Sequence, residues 1–255
     1  MEPRRIVSRA EWLEARKQHL AREKEFTHLR DRLTAERRNL PWVRVEKPYV
    51  FDGANGKVSL AELFEGRSQL VVQHFMLGPG WKEGCTGCSF SADHVDAARQ
   101  HFEHNDLSFA AVSRAPYPEI AAFQQRMGWR FAWVSSFASD FNYDFNVSFT
   151  EADKARGKAF YNFELRDYQN DELPGTSVFA KDAAGQVFHT YSAYGRGDEL
   201  LIGAYNYLDL VPKGRNENGP NFDLTDWVRH HDRYAPAAAG ACACSRDYEI
   251  SRSAS

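Results

Sequence analysis

The sequence predicts an α/β protein in which strands alternate with helices around a mainly parallel central sheet. Three observations carry that expectation. Residues 70–76, 108–113 and 131–135 form short apolar runs separated by segments with apolar side chains at helical spacing, so successive strands need crossover connections. The 255 residues are 43% hydrophobic, enough for one sizeable core. Between the first of those runs and the helix after it stands Cys85-Thr86-Gly87-Cys88, two thiols spaced to close a small disulfide ring.

The first forty residues form a charged arm. Ser8-Arg9-Ala10-Glu11 has the capping-box pattern, and neither Pro nor Gly interrupts the helix it opens before Pro41. Phe26, Leu29, Leu33 and Leu40 make a near-heptad stripe suited to packing on the body of the protein or on a second copy, so a homodimer is one expected assembly. From Trp42 the period changes: Val43, Val45, Tyr49 and Phe51 alternate with polar residues, and Asn55-Gly56 turns a hairpin into Lys57-Val58. Ser59-Leu60-Ala61-Glu62 repeats the capping box for a short helix that Gly66 ends. Strand 70–76, the cysteine loop and one helix over 89–104 follow, with Phe90, His94, Ala97, Ala98 and Phe102 on a shared face.

Strand 108–113 leads to a helix over 117–127, whose Ile120, Phe123 and Met127 share a face and which Gly128 stops; strand 131–135 comes next. The aromatic stretch 137–149 reads as a loop with a short helix packing on the core. Segments 176–180 and 186–191 form a hairpin through Gly185, and a helix over 198–210 presents Leu201, Tyr205 and Leu208 together. A polar loop, a last short helix over 223–234 and a tail poor in core-forming residues complete the chain. The expected organisation is thus an arm over 1–41, a body over 42–212, a C-terminal loop and helix over 213–234, and a disordered tail over 235–255.

A net charge of −3 gives no electrostatic reason for a nucleic-acid or membrane partner. The charged N-terminus lacks a following apolar stretch and no run reaches transmembrane length, so a cytoplasmic location is expected. In that compartment four cysteines suggest catalysis or metal binding rather than structural disulfides. No phosphate-binding glycine loop or serine elbow points to a nucleotide cofactor or an acyl enzyme.

Cys-x-x-Cys is compatible with a redox pair, half of a zinc site or two small core residues. Zinc needs four ligands, usually as two pairs, whereas one pair follows an apolar strand here, and a helix N-terminus stabilises a thiolate. A second pair, Cys242-Ala243-Cys244, could reach the dithiol as an electron relay, complete a metal site or be incidental. His74 could lower a thiolate pKa or be a satisfied buried histidine. His230-His231-Asp232 reads as a solvated helix end, because adjacent helical residues do not face each other.

Ile6-Val7-Ser8-Arg9-Ala10-Glu11-Trp12, Leu40-Pro41-Trp42-Val43, His74-Phe75-Met76, Gly84-Cys85-Thr86-Gly87-Cys88-Ser89-Phe90 and Tyr205-Asn206-Tyr207-Leu208-Asp209 resemble the bacterial family of domain of unknown function 899. Its members are described as predicted dithiol-disulfide oxidoreductases. The order of elements is similar to the thioredoxin-like superfamily in its peroxiredoxin-sized variant. That resemblance implies a thioredoxin-like mixed sheet flanked by helices with an N-terminal helical extension. It implies thiol-disulfide exchange with a protein or small-molecule substrate, Cys85 as nucleophile, Cys88 as resolving thiol, and no cofactor beyond their disulfide. Trp81 would cover one side of the site. Thr176 takes the position of the thioredoxin cis-proline beside the substrate, with Pro174 two residues earlier.

The linker over 77–84 has a length closer to that of peroxiredoxins, whose threonine three residues before the reactive cysteine corresponds to Lys82. One alternative is therefore a thiol peroxidase in which Cys85 becomes a sulfenic acid, Cys88 condenses with it and Arg114 stabilises the thiolate. Another is a non-enzymatic metal-binding protein using Cys85, Cys88, Cys242 and Cys244.

Overall fold

A computed structural model describes residues 5–234. Helix α1 (Arg9–Arg38) starts at the Ser8–Glu11 capping box, in which the Ser8 hydroxyl accepts from the Glu11 N–H and the Glu11 carboxylate accepts from the Ser8 N–H. No residue of α1 is buried, and Phe26 is 66% exposed, so its apolar stripe does not pack on the body of its own chain. The body is joined near the helix end, where the Arg37 guanidinium lies over Tyr191.

Strand β1 (Val43–Arg44) is not part of the first hairpin; it pairs with a late strand. The hairpin is β2 (Val50–Gly53) with β3 (Gly56–Ser59), turned at Asn55-Gly56, where Gly56 has φ 104°. The second capping box forms between Ser59 and Glu62, but it opens only a 3-10 turn over Glu62–Phe64 that buries Leu63 and Phe64. Strand β4 (Gln69–His74) then leads through the cysteine loop to α2 (Thr86–Ala92).

The single helix expected over 89–104 is two: α3 (Val95–His104) begins after a break at Asp93-His94. His94 itself makes the break. Its Nδ1 donates to the Phe90 carbonyl, replacing the backbone donor that would continue the helix, and its Nε2 accepts from the Ala204 N–H.

Strand β5 (Leu107–Ser113), α4 (Tyr117–Met127) and β6 (Ala132–Ser135) follow as expected, with Pro118 in the first turn of α4 and Gly128 at φ 68° ending it. The aromatic stretch contains α5 (Phe141–Asp144), and Phe141 and Phe145 pack into the core. After α6 (Glu151–Arg156) comes a hairpin absent from the sequence reading, β7 (Lys158–Tyr161) with β8 (Glu164–Asp167). Its turn places Asn162 and Phe163 at positive φ, and phenylalanine gives no local signal for that conformation.

Strands β9 (Gly175–Lys181) and β10 (Val187–Tyr194) complete the sheet. The helix expected over 198–210 is a 3-10 segment, Gly195–Leu201, followed by α7 (Gly203–Leu208), with extended Ile202 between them. The last short helix is two 3-10 turns, Leu224–Asp226 and His231–Arg233.

The sheet order is β1-β10-β9-β4-β5-β6-β2-β3. Only β4, β5 and β6 run parallel; β9, β10 and β2 join antiparallel, so the sheet is mixed rather than mainly parallel. Alternation along the strands divides the core. Leu70, Val72, Ala110, Val112 and Phe179 face the side covered by Phe64, Phe141 and Phe145. Ala111 and Trp133 face the side covered by Ile120, Phe123 and Met127. A smaller cluster of Phe90, Ile202, Tyr205 and Val228 holds the C-terminal segment against α2.

Candidate active site

The loop before the dithiol is anchored at several points. The Cys85 N–H donates to the Met76 carbonyl at 3.0 Å, and the Ala115 N–H donates to the Leu77 carbonyl at 2.8 Å. Gly84 lies against the core: a Cβ there would stand 2.5 Å from Phe75 and 2.8 Å from Phe123, so the close approach requires glycine. Cys85 consequently caps α2, and its carbonyl accepts from both the N–H and the hydroxyl of Ser89.

Both thiols are free, with Cys85 half-buried and Cys88 buried. The hydrogen bond from Cys88 brings the Cys85 thiol down to about 6, and the N–H groups of Cys88 and Gly87 act in the same direction against the cost of burial. Cys88 moves the opposite way. Its bond to Cys85, its burial, the Cys85 charge and the Asp198 charge all raise it, against the N–H of Met76, which donates to its Sγ at 3.5 Å. The pair is therefore asymmetric, one sulfur ionised at neutral pH and the other protonated one turn inside.

Alkylation of the reduced protein should reflect this. Labelling of Cys85 by iodoacetamide is expected to rise as pH passes through about 6 and then level, while Cys88 stays unlabelled at neutral pH. Because the folded Cys85 value is depressed from 9.0, its contribution to the stability of the reduced protein is fully present above about 9 and is lost as pH falls through about 6. Labelling that begins at Cys88, or that rises only near 9, would contradict the asymmetry.

Cys85 and Cys88 open on a cavity of about 400 Å³ walled by Gln73, Pro174, Gly175, Asp198, Tyr205 and Leu224, among others. Asp198 is pushed up to about 6 by burial, against a hydrogen bond donated by the Thr176 hydroxyl at 3.2 Å. Gln73 donates to the Cys88 carbonyl at 3.1 Å, while its own Oε1 is buried without a partner. His74 also borders the cavity, but burial, with the nearby His189, drives it down to about 3. Stacked against Phe145 and bonded to the Ser177 hydroxyl, it is a neutral buried histidine and cannot favour a thiolate by charge.

The remaining candidates are distributed differently from the sequence expectation. Thr176 does not line the dithiol cavity; it borders a smaller apolar cavity beneath α3, and Pro174 and Gly175 supply the wall instead. No peptide bond among the described residues is cis. Trp81 is likewise absent from the cavity wall: it packs beside the Phe75 and Phe123 cluster, so close to Gly78 that a Cβ there would lie 2.9 Å from its Nε1. Lys82 is exposed. Arg114 is held away from the cavity by the buried Glu172 carboxylate at 2.6 Å and the Tyr143 hydroxyl at 2.9 Å.

His230 is not a solvated helix end. It is 1% exposed, its Nε2–H donates to the Gly84 carbonyl at 2.9 Å, and its Nδ1 accepts from Arg126. Arg126 also pairs with Asp232 and Glu83, and Arg233 binds both oxygens of Glu83. His231 points elsewhere, to Asp93. The C-terminal segment thereby clamps the two residues that precede Cys85.

Sequence reasoning missed Asp198, Gln73 and this clamp. Gln73 alone carried a signal, as a polar side chain inside an apolar run. Cys242 and Cys244 lie outside the described residues. Among the described residues no group of three His, Cys, Asp or Glu side chains could hold a metal ion, and no helix is long and apolar enough to cross a membrane.

A mixed sheet with a parallel β4-β5-β6 centre, antiparallel β9 and β10 beside β4, and a dithiol between β4 and the start of a helix define a thioredoxin-like protein. The chain belongs to the family described as bacterial protein of unknown function DUF899, which it matches over residues 1–234.

Similar solved structures include the Xanthomonas campestris bacterioferritin comigratory protein, studied for alkyl peroxide reduction, at 13% identity, 65% of this chain, 99% of that one and a TM-score of 0.43. Peroxidoxin BcpB from Mycobacterium tuberculosis is similar at 14% identity, 66% of this chain, 97% of that one and a TM-score of 0.40. A putative thiol:disulfide interchange protein DsbE from Chlorobium tepidum is similar at 12% identity, 66% of this chain, 95% of that one and a TM-score of 0.40. No curated protein matches the chain.

Proposed function

We propose that the chain is a dithiol-disulfide oxidoreductase. The supporting observation is the asymmetry of the thiols that share the cavity wall: half-buried Cys85 is brought down to about 6, while buried Cys88 is raised and kept protonated. The Cys85 thiolate attacks one sulfur of a substrate disulfide, forming a mixed disulfide as the other substrate sulfur leaves as a thiolate. Cys88 then gives up its proton and attacks the Cys85 sulfur. The Cys85–Cys88 bond forms, the second substrate thiolate leaves, and two electrons have passed to the substrate. Asp198, half-buried in the wall of the same cavity and raised to about 6, is the carboxylate suited to accept the Cys88 proton.

A peroxide would meet a less suitable site. Neither Lys82 nor Arg114 borders the cavity, and Arg196, which does, is engaged by Glu199 at 2.8 Å. A disulfide requires fewer fixed donors, because the charge displaced onto sulfur is diffuse.

Equilibration in glutathione redox buffers tests the proposal. The thiols at 85 and 88 are expected to disappear together and to return together when the ratio is reversed. Thiols that stay free across the whole range, or oxidise without returning, would rule out exchange.

A further inference from the structure

We propose that the apolar cavity beneath α3 is a second subsite of the dithiol, holding an alkyl arm of the substrate, so that the preferred substrate is a small-molecule alkyl disulfide. The inference rests on the exchange reading above and names the substrate class for it. Its first support is the chemistry of the cavity. Val71 of β4, Phe109 of β5 and Thr176 of β9 lie along the floor, and Val95, Ala98 and Phe102 of α3 form the roof. The volume is about 170 Å³. A cavity of about 150 Å³ lined by Leu, Ile and Phe stays dry and holds benzene, so a space of this size takes about six carbon atoms.

The second support is that α3 spans this space without closing it. No residue of α3 is buried, although its apolar side chains line the cavity above the sheet. Both ends of the helix are tied elsewhere: the Asp96 carboxylate accepts from the Arg130 N–H at 2.7 Å, and the Glu103 carbonyl accepts from the Arg67 Nε–H at 3.1 Å. Just before the helix, His94 is bonded to Phe90 and Ala204. These anchors keep apart two apolar surfaces that ordinary packing would join.

Position is the third support. Gln73 and Ser91 border both this cavity and the dithiol cavity, so the two spaces meet at that pair. Gln73 donates to the Cys88 carbonyl, while its buried Oε1 has no partner. The partition is thus secured by a hydrogen bond on the dithiol side alone. An alkyl arm on the sulfur that Cys85 attacks passes beside Gln73 into the apolar space, where a charged or strongly hydrated arm would lose its water without compensation.

Alkyl 2-pyridyl disulfides with arms from methyl to octyl test this on the reduced full chain. The Cys85 thiolate attacks the alkyl-bearing sulfur, the S–S bond breaks, and pyridine-2-thiolate leaves and is protonated to the coloured thione. Cys88 then attacks the Cys85 sulfur; its proton passes to the departing alkanethiolate, and the Cys85–Cys88 bond forms. Thione release is referred to that caused by free mercaptoethanol, after subtraction of the release that remains in Cys85→Ser from the other thiols. The ratio is expected to rise about fourfold for each added methylene, up to an arm of about six carbons, and then to level. Val71→Phe fills the cavity from the floor and Ala98→Phe from the roof. Read as a ratio within each variant, the rise with arm length should flatten.

Thione release that does not depend on arm length would overturn the alkyl subsite and leave the exchange reading intact. A rise that survives in both filled variants would place the arm elsewhere and overturn the subsite too. Release no greater than that of Cys85→Ser with every member of the series would overturn the exchange reading itself.

Discussion

Cys85→Ser is expected to abolish disulfide exchange, while Cys88→Ser keeps the first step and accumulates the mixed disulfide. The difference follows from where each sulfur stands. Cys85 caps α2 on the cavity, and the Cys88 thiol and the N–H groups of Gly87 and Cys88 hold it down at about 6. A serine hydroxyl at the same place stays protonated at neutral pH and cannot attack sulfur. Cys88 cannot take over the role, because it is 4% exposed, aimed at the Met76 N–H and raised by its burial and by Asp198. Reduction of a small chromogenic disulfide at pH 7 measures the loss. If Cys85→Ser retained a tenth or more of the wild-type rate, Cys88 would be the attacking thiol.

Gly84→Ala is expected to produce the largest structural effect of any single methyl group near the site. The added carbon would stand 2.5 Å from one ring and 2.8 Å from another, and both rings, Phe75 and Phe123, are buried among Trp129 and Trp133. Both rings are almost fully enclosed, Phe75 at 1% and Phe123 at 5% exposure, so the cost is on the order of 3 kcal/mol. For a domain of this size that lowers the unfolding midpoint by about 6–12 °C. The same shift pulls the loop away from the His230 contact at the Gly84 carbonyl, so alkylation of Cys85 should lose its low-pH rise. Urea unfolding and thiol labelling of the variant check the two effects together. Stability within about 0.5 kcal/mol of wild type, the range of an inconsequential substitution, would mean that the rings yield.

The two changes differ in kind. Cys85→Ser removes a reacting atom from an intact fold, and its stability should remain close to that of the reduced parent at low pH, where the thiolate contributes nothing. Gly84→Ala leaves both sulfurs in place and disturbs the surface on which they rest.

Sequence alone determined the features that depend on a few neighbouring residues. The Ser8–Glu11 and Ser59–Glu62 capping boxes, the Asn55-Gly56 turn, the stop of α4 at Gly128 and the position of the dithiol between β4 and α2 all form where local patterns place them. Each depends on backbone conformation or on contacts three or four residues apart, which the order of side chains specifies directly.

Tertiary structure decided what depends on distant partners. The break before α3 exists because the His94 ring takes the Phe90 carbonyl and is itself fixed by Ala204, 110 residues away. The burial of His230 comes from Gly84, 146 residues away, and the raised Asp198 comes from the cavity that closes around it. Substitution of Pro174 and Gly175 for Thr176 in the cavity wall follows from the register of β9 on β4, which sets Gly175 opposite His74. Such contacts leave no periodic trace in either segment, because the energy of a buried hydrogen bond or ion pair is set by the environment that packing creates around it.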